Sequence, residues 1–276
     1  MSDAVVIDVT TQGVTMPTAT ITGATQGLGR ALAEALAARG WDLVVTARDA
    51  SALLSTVASL RRHGHVVAGL AGDVSDSVHR GEVVDLVAEV TGNSGLDLLV
   101  NNASTLGPVP LRPLRDLTTD DLAAVLAVNV LAPHALVRSL LPALETAKGA
   151  VIDVSSDAGV EHYETWGGYG ASKAALDHLT LTLAAETPTI ALYAVDPGDM
   201  RTAMHQAAFA GEDISDRPLP EEVAVPGILT LIDSRPESGR YRAADLASDR
   251  TTNGTTDGTT DLTTDLTGEV APGVAS

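Results

Sequence analysis

Short apolar runs recur along this chain, and a longer stretch with helical spacing separates each from the next. The runs cover residues 18–22, 42–47, 66–71, 96–101, 150–155 and 190–195, with a seventh expected near 239–242. Most are apolar on both faces, which suits strands buried inside a parallel sheet rather than half-exposed antiparallel ones. Helical patterns fill 29–39, 49–63, 75–91, 118–144 and 169–186. Gly40 ends the first in a position suited to a left-handed turn, and Thr118-Thr119-Asp120-Asp121 opens the fourth with a capping-box pattern. Strand, helix, strand, repeated, predicts an α/β fold: a doubly wound parallel sheet in a three-layer αβα sandwich, with its ligand crevice at the carboxyl ends of the strands.

The chain of 276 residues is 45% hydrophobic, enough for one sizeable core. A single domain over 18–250 is expected, after a loose leader at 1–17 and before a disordered acidic tail at 251–276. That tail repeats Thr-Thr units and buries too little to offset the ordering of its backbone. Asp257, Asp261 and Asp265 recur every four residues, but the Gly-rich nonapeptide pattern of calcium-binding repeats is missing, so a solvated tail is preferred. With 17 basic against 36 acidic residues the formal charge is −19, a field that repels phosphate backbones and argues against nucleic acid as a partner. The 0 cysteines exclude disulfides, thiolate zinc sites and a cysteine nucleophile, which is consistent with the cytosol. Residues 1–12 contain Asp3 and Asp8 without Lys or Arg, so neither a secretory signal nor a membrane span is expected and the protein reads as soluble and cytoplasmic. The histidines are dispersed, His63-Gly64-His65 being the one close pair, and no metal site is expected.

The first strand runs directly into Gly23-Ala24-Thr25-Gln26-Gly27-Leu28-Gly29 and then into a helix. Three glycines in that context permit a tight turn, close backbone approach to a pyrophosphate and close helix packing, while the helix N-terminus offers free amides to an anion. The same residues also serve as plain punctuation between strand and helix, and the spacing is neither GxGxxG nor a P-loop. The second strand ends in Ala47-Arg48-Asp49, where a dinucleotide domain meets the adenosine ribose. Arg48 matches a 2′-phosphate and so favours NADP(H) over NAD(H). Two alternatives stand beside this one: Arg48 as a solvated residue pairing with Asp49, and Asp49 as a ribose ligand.

Tyr169 and Lys173 are four residues apart at the start of a helix, hence on one face. Such pairs are often mere surface packing, but a phenol ordinarily ionises near pH ~10, and a neighbouring ammonium is expected to lower that value towards the range useful for proton transfer. Ser156 follows the buried strand at 150–155, which puts its hydroxyl at the crevice.

These residues, together with others in order along the chain, resemble the short-chain dehydrogenase/reductase family. The motifs are Thr22-Gly23-xxx-Gly27-x-Gly29, Gly72-Asp73-Val74, Asn101-Asn102-Ala103, Val128-Asn129-Val130, Ser156, Tyr169-xxx-Lys173, and Pro197-Gly198 with Thr202, spanning 18 to about 246. The resemblance implies a Rossmann fold and an NADP(H)-linked oxidoreductase acting on a carbonyl or secondary alcohol. It makes Tyr169 the acid/base and Lys173 the group that lowers its pKa and binds the nicotinamide ribose. Ser156 becomes the donor to the substrate oxygen, and Asn129 the holder of a water that relays protons to Lys173. It gives Gly23, Thr25, Gln26, Gly27, Leu28 and Gly29 to the phosphates, and Asp73 and Val74 to the adenine. Asn101 and Ala103 fall to the adenosine side, and Pro197, Gly198 and Thr202 to the nicotinamide end. A homodimer or homotetramer is likewise implied.

The chain departs from the family pattern at Ser104, where Gly is usual, and at Asp196, where Asn usually precedes Pro-Gly; the segment 187–193 is about two residues short. Leu106, Val160, Tyr163, Trp166, Met200, Met204 and Phe209 are candidates for the substrate cleft, and 204–220 for a lid. They point to a small, apolar carbonyl or alcohol. The rival readings are a non-catalytic cofactor-binding protein, an NAD-dependent alcohol dehydrogenase, and a structural protein whose tail matters.

Overall fold

The computed structural model describes residues 16–253. The leader expected over 1–17 and the tail expected over 251–276, including its spaced aspartates, therefore lie outside the described residues except at their inner ends. At the latter end a helix continues to Asn253, past the boundary drawn after Arg250.

Among the described residues seven strands form one sheet: β1 (Thr18–Thr22), β2 (Asp42–Ala47), β3 (Val67–Ala71), β4 (Leu98–Asn101), β5 (Ala150–Val154), β6 (Ala191–Asp196) and β7 (Gly239–Arg242). All neighbours run parallel, in the order β3-β2-β1-β4-β5-β6-β7. Strand side chains alternate between two cores, as a period of two requires. Ile21, Leu43, Val45, Leu98, Val100 and Ile152 face one core with α1 (Gly27–Ala38), α2 (Ala50–Leu60) and α8 (Ala224–Ser234). Val44, Leu99, Val151 and Leu192 face the other, under α3 (Ser77–Thr91), α5 (Ala132–Ala147) and α6 (Gly167–Glu186). The doubly wound three-layer sandwich is the fold observed.

Three differences from the sequence reading have local causes. β4 starts at Leu98 rather than 96, because Leu96 and Asp97 serve the strand's entry. The Leu96 amide bonds to the Ala143 carbonyl, and the Asp97 carboxylate accepts from the Thr18 amide at 2.8 Å. The helix expected over 118–144 is divided into α4 (Thr119–Leu126), a π-helical turn (Ala127–Leu131) and α5. Pro133 lacks the amide that would bond to the Asn129 carbonyl, and a widened turn absorbs the missing donor. The run Thr119–Ala147 is long and apolar enough to cross a membrane by length and composition, a feature the sequence reading passed over. Here its apolar stripe is used by the sheet: Leu136, Leu140 and Leu144 are buried in the second core. The C-terminal part adds α7 (Ala203–Ala208), α8 and α9 (Ala243–Asn253), none of them expected as helices.

β1 and β4 are neighbours at the point where the strand order reverses, so the loops that leave them diverge and open a crevice. Thr22 joins the two lips. Its hydroxyl accepts from the amides of Asn102 and Ala103, both at 3.0 Å, while the Asn102 side-chain amide donates to the carbonyls of Thr22 and Gly23 at 2.9 and 3.1 Å. Replacing Thr22 with Val keeps the shape and strands both amides, so urea unfolding should show a loss of about 2 kcal/mol; an unchanged midpoint would show that water replaces the hydroxyl.

Candidate active site

The crevice is a cavity of about 990 Å³ lined by the loops that follow β1 to β6. That is the upper end of ligand-pocket sizes, large enough for a dinucleotide with a small molecule beside it. Gly23, Thr25, Gln26, Gly27 and Leu28 line one side, and Arg48, Asp73, Val74 and Ala103 the adjoining stretch. Ser156, Tyr169, Lys173, Pro197, Gly198 and Thr202 line the far end.

Helix α1 differs from its neighbours at the start. Asp49, Asp76 and Thr118 cap α2, α3 and α4 with their side chains, whereas Gln26 makes no side-chain cap on α1. The first-turn amides of α1 therefore face the crevice without a side-chain acceptor, which suits a pyrophosphate. Gly29 lies under this turn rather than in the crevice: a Cβ there would strike the Gly23 carbonyl and the Asn102 amide, so this glycine sets backbone packing. Asp49 accepts from the Ala52 amide at 2.9 Å. That bond takes one carboxylate oxygen, and among the described residues no hydrogen bond or ion pair joins Arg48 to Asp49. Among the described residues the Arg48 guanidinium makes no hydrogen bond or ion pair, and its charge acts on Asp73.

At the other end α6 delivers Tyr169 and Lys173 to the carboxyl end of β5. Both are buried, at 9% and 2% exposure. The Lys173 ammonium donates to the Val154 carbonyl at 2.6 Å and lies 5.5 Å from the centroid of the Tyr169 ring. Ser156 caps the short turn after β5, accepting from the Ala158 amide at 3.2 Å and donating to Asp157 at 3.0 Å. Hydroxyl, phenol and ammonium thus converge on one wall of the crevice, in the arrangement needed to hold a carbonyl oxygen and give it a proton.

Comparison with known proteins gives the family. The family model described as short chain dehydrogenase matches residues 17–213. An uncharacterized oxidoreductase of Mycobacterium tuberculosis is 32% identical over 212 residues, covering 75% of this chain and 77% of its own length. The chain belongs to the short-chain dehydrogenase family. Among solved structures, a short chain dehydrogenase from Pseudomonas syringae superposes with TM-score 0.77 at 31% identity, covering 82% of this chain and 94% of its own. One from Escherichia coli, complexed with NADPH, gives 0.75 at 28%, covering 82% and 96%. The protein is accordingly an NAD(P)-dependent short-chain dehydrogenase/reductase.

Several residues fall elsewhere than the sequence reading placed them. Asn101 is not in the cofactor crevice: as the last residue of β4 it is 3% exposed, and its amide donates to Asp153 of β5 at 2.8 Å. Its neighbour Asn102, past the strand end, lines the crevice instead. The Asn129 side chain is 1% exposed and holds the 104–105 loop to α6. It accepts from the Ser104 hydroxyl and the Thr105 amide at 3.2 and 2.9 Å, and donates to the Thr105 carbonyl and Ser172 hydroxyl, both at 2.9 Å. Both amide protons and both lone pairs are engaged, so a relay water at Asn129 would have to use its backbone carbonyl rather than its side chain. Leu106, Trp166, Met200 and Met204 line the crevice as expected. Val160 and Tyr163 do not: they are 51% and 47% exposed, and the Tyr163 hydroxyl donates to Asp157. Phe209 backs the wall by packing on Trp166 and His205 at 5.9 and 4.7 Å between ring centroids. The crevice also takes in Ser104, Asp196 and His205; the first two were legible as departures from the family pattern, while His205 carried no signal.

The expected lowering of the Tyr169 pKa is reversed. Burial pushes the phenol up to about 12, against the hydrogen bonding of Ser156 and Ser104, and the Asp157 and Asp196 carboxylates add to the rise. Burial also brings Lys173 down to about 8, opposed by the Asp177 and Asp153 carboxylates. Below pH 8 the ammonium is protonated both folded and unfolded; between there and the ordinary lysine value of 10.5 only the unfolded chain binds the proton, so raising the pH favours the fold. Denaturant midpoints of the unmodified chain, compared with those of Lys173→Met, should therefore rise from pH 8 to pH 10, and a constant difference would count against the shift.

Proposed function

We propose that this enzyme transfers a hydride between NADP(H) and a small, mainly apolar carbonyl or secondary alcohol, with Tyr169 as acid/base. The observation that carries the reading is the convergence of Ser156, Tyr169 and Lys173 at one end of a crevice whose other end presents an unpaired arginine. NADP(H), when bound, supplies or takes up the hydride. Its pyrophosphate would rest on the open amides of α1, its 2′-phosphate on Arg48, its adenine beside Asp73 and Val74, and its nicotinamide end against Pro197, Gly198 and Thr202. The Escherichia coli neighbour's NADPH complex supports the choice of nucleotide.

During reduction, negative charge grows on the carbonyl oxygen, where the Ser156 hydroxyl donates and the Tyr169 phenol delivers its proton. The buried phenol is protonated at neutral pH and so is able to act as general acid in this direction. The Lys173 ammonium, 5.5 Å from the ring centroid, puts a positive charge beside the phenolate left behind. In oxidation the same groups act in reverse. Leu106, Trp166, Met200 and Met204 give the substrate end an apolar lining. The segment 204–220, which packs mainly at the surface, is read as the lid over this end. The enzyme is further read as a cytoplasmic homodimer or homotetramer.

Calorimetric titration should show NADPH bound at least tenfold more tightly than NADH, about 1.4 kcal/mol. Arg48→Ala should erase most of that difference and leave NADH affinity unchanged; equal affinities in the unmodified chain would overturn the NADP assignment. With a panel of small aldehydes and ketones, Tyr169→Phe should lower kcat by ~10²–10⁴ while NADPH still binds. Turnover by that variant at the unmodified rate would remove Tyr169 from the chemistry, and binding without turnover in the unmodified chain would identify a non-catalytic relative.

A further inference from the structure

Asp196 brings a carboxylate to the nicotinamide end of the crevice, where the family pattern usually has an uncharged side chain, and the structure shows what answers it. Asp196 is 3% exposed. One oxygen accepts from the Gly198 amide at 3.0 Å and so fastens the Asp196-Pro197-Gly198 turn. The other faces Arg240 and Arg242, each at 3.7 Å. Both arginines come from β7, which pairs Arg242 with Asp196 and Arg240 with Ala194, so that the period of two puts these side chains on one face.

Arg240 does more than balance this charge. Its Nε donates to Asp177 at 2.9 Å, on the catalytic helix one turn beyond Lys173. Its NH2 group donates to the Ser156 backbone carbonyl at 2.9 Å. A planar guanidinium with several fixed donors thus meets the serine of the catalytic wall, the helix that carries Tyr169 and Lys173, and the turn at the nicotinamide end. These segments come from β5, α6 and β6, and the described hydrogen bonds give no other side chain that contacts all three.

We infer that Arg240 is a positioning residue, which fixes the Asp196-Pro197-Gly198 turn relative to Ser156 and α6 and thereby sets the nicotinamide end of the cofactor cleft. The inference rests on the NADP(H) reading above. Its physical core is that removing the guanidinium leaves Asp177 a buried carboxylate without its ion-pair partner and Asp196 with Arg242 alone, next to a turn otherwise fastened by its own short-range bond. Neutralising Asp196 as well removes one of those charges and keeps the acceptor for the Gly198 amide.

The test is a set of variants, Arg240→Met, Arg240→Lys, Asp196→Asn and the double variant Asp196→Asn/Arg240→Met, each titrated with NADPH and melted without it. Arg240→Met should weaken NADPH binding about tenfold, and Arg240→Lys should do nearly as much because donors gathered on one nitrogen do not span the partners that the Nε and NH2 of the guanidinium reach separately. Asp196→Asn should stay within about threefold, and the double variant should regain at least about threefold over Arg240→Met. If Arg240→Met proves insoluble, Arg240→Lys with and without Asp196→Asn gives the same comparison. A lowered melting temperature with unchanged NADPH affinity would make Arg240 merely structural and overturn the inference, as would a double variant no better than Arg240→Met. Binding by the unmodified chain together with such results would leave the NADP(H) reading standing; no binding by the unmodified chain would overturn both.

Discussion

The adjacency of β1 and β4 is the constraint from which the working parts follow. Strand order reverses there, so the chain leaving β1 turns into α1 on one side of the sheet while the chain leaving β4 turns to the other. The gap between them exists before any side chain is chosen. Thr22 and Asn102 bond its lips together with backbone and side-chain donors. Because of that junction, the uncapped start of α1 and the loop that leads to Ser104 open on the same cavity. Every later loop, after β2, β3, β5 and β6, reaches it because parallel strands all end on one edge.

The catalytic end is expensive to assemble, since phenol, ammonium and several carboxylates lie where water is excluded. Lys173 keeps its place through the Val154 carbonyl, and Asp153 through Asn101 and Thr180. Asn129, with its amide fully engaged, locks the 104–105 loop against α6. These bonded groups hold fixed orientations, which is what lets a hydroxyl and a phenol be in place before charge develops on a substrate. Burial supplies the shifts: it keeps Tyr169 protonated and weakens the hold of Lys173 on its proton. An exposed Tyr–Lys pair at the same helical spacing would show neither shift.

How far the sequence could be read varied with the kind of signal. Strands such as β2 and β5 were legible because both faces are buried and the runs are continuously apolar. Helix α8 was passed over because Pro226 and Gly227 interrupt it, although Ala224, Val225, Ile228, Leu231 and Ile232 carry the helical period and are buried. Within Asn101-Asn102-Ala103 the motif marked the right segment and the wrong first residue. The direction of a side chain at a strand's last position depends on where pairing stops, and β4 ends at Asn101. Arg240 gave no signal, since its partners Asp177, Ser156 and Asp196 lie 63, 84 and 44 positions away in the chain.

The sequence by itself determined the order of the strands and of the helices as far as α6, the glycine turn, the identities of Ser156, Tyr169 and Lys173, and hence the family. These are properties of local pattern, set by side-chain periodicity and by which residue types a short segment can accommodate. Tertiary structure alone decided which Asn lines the crevice, that the Asn129 side chain is saturated, and that Asp49 belongs to a helix cap. It also decided that the phenol of Tyr169 is raised rather than lowered. Each of these depends on distances between segments remote in the chain and on the exclusion of water around them, quantities that appear only when the layers close over the sheet.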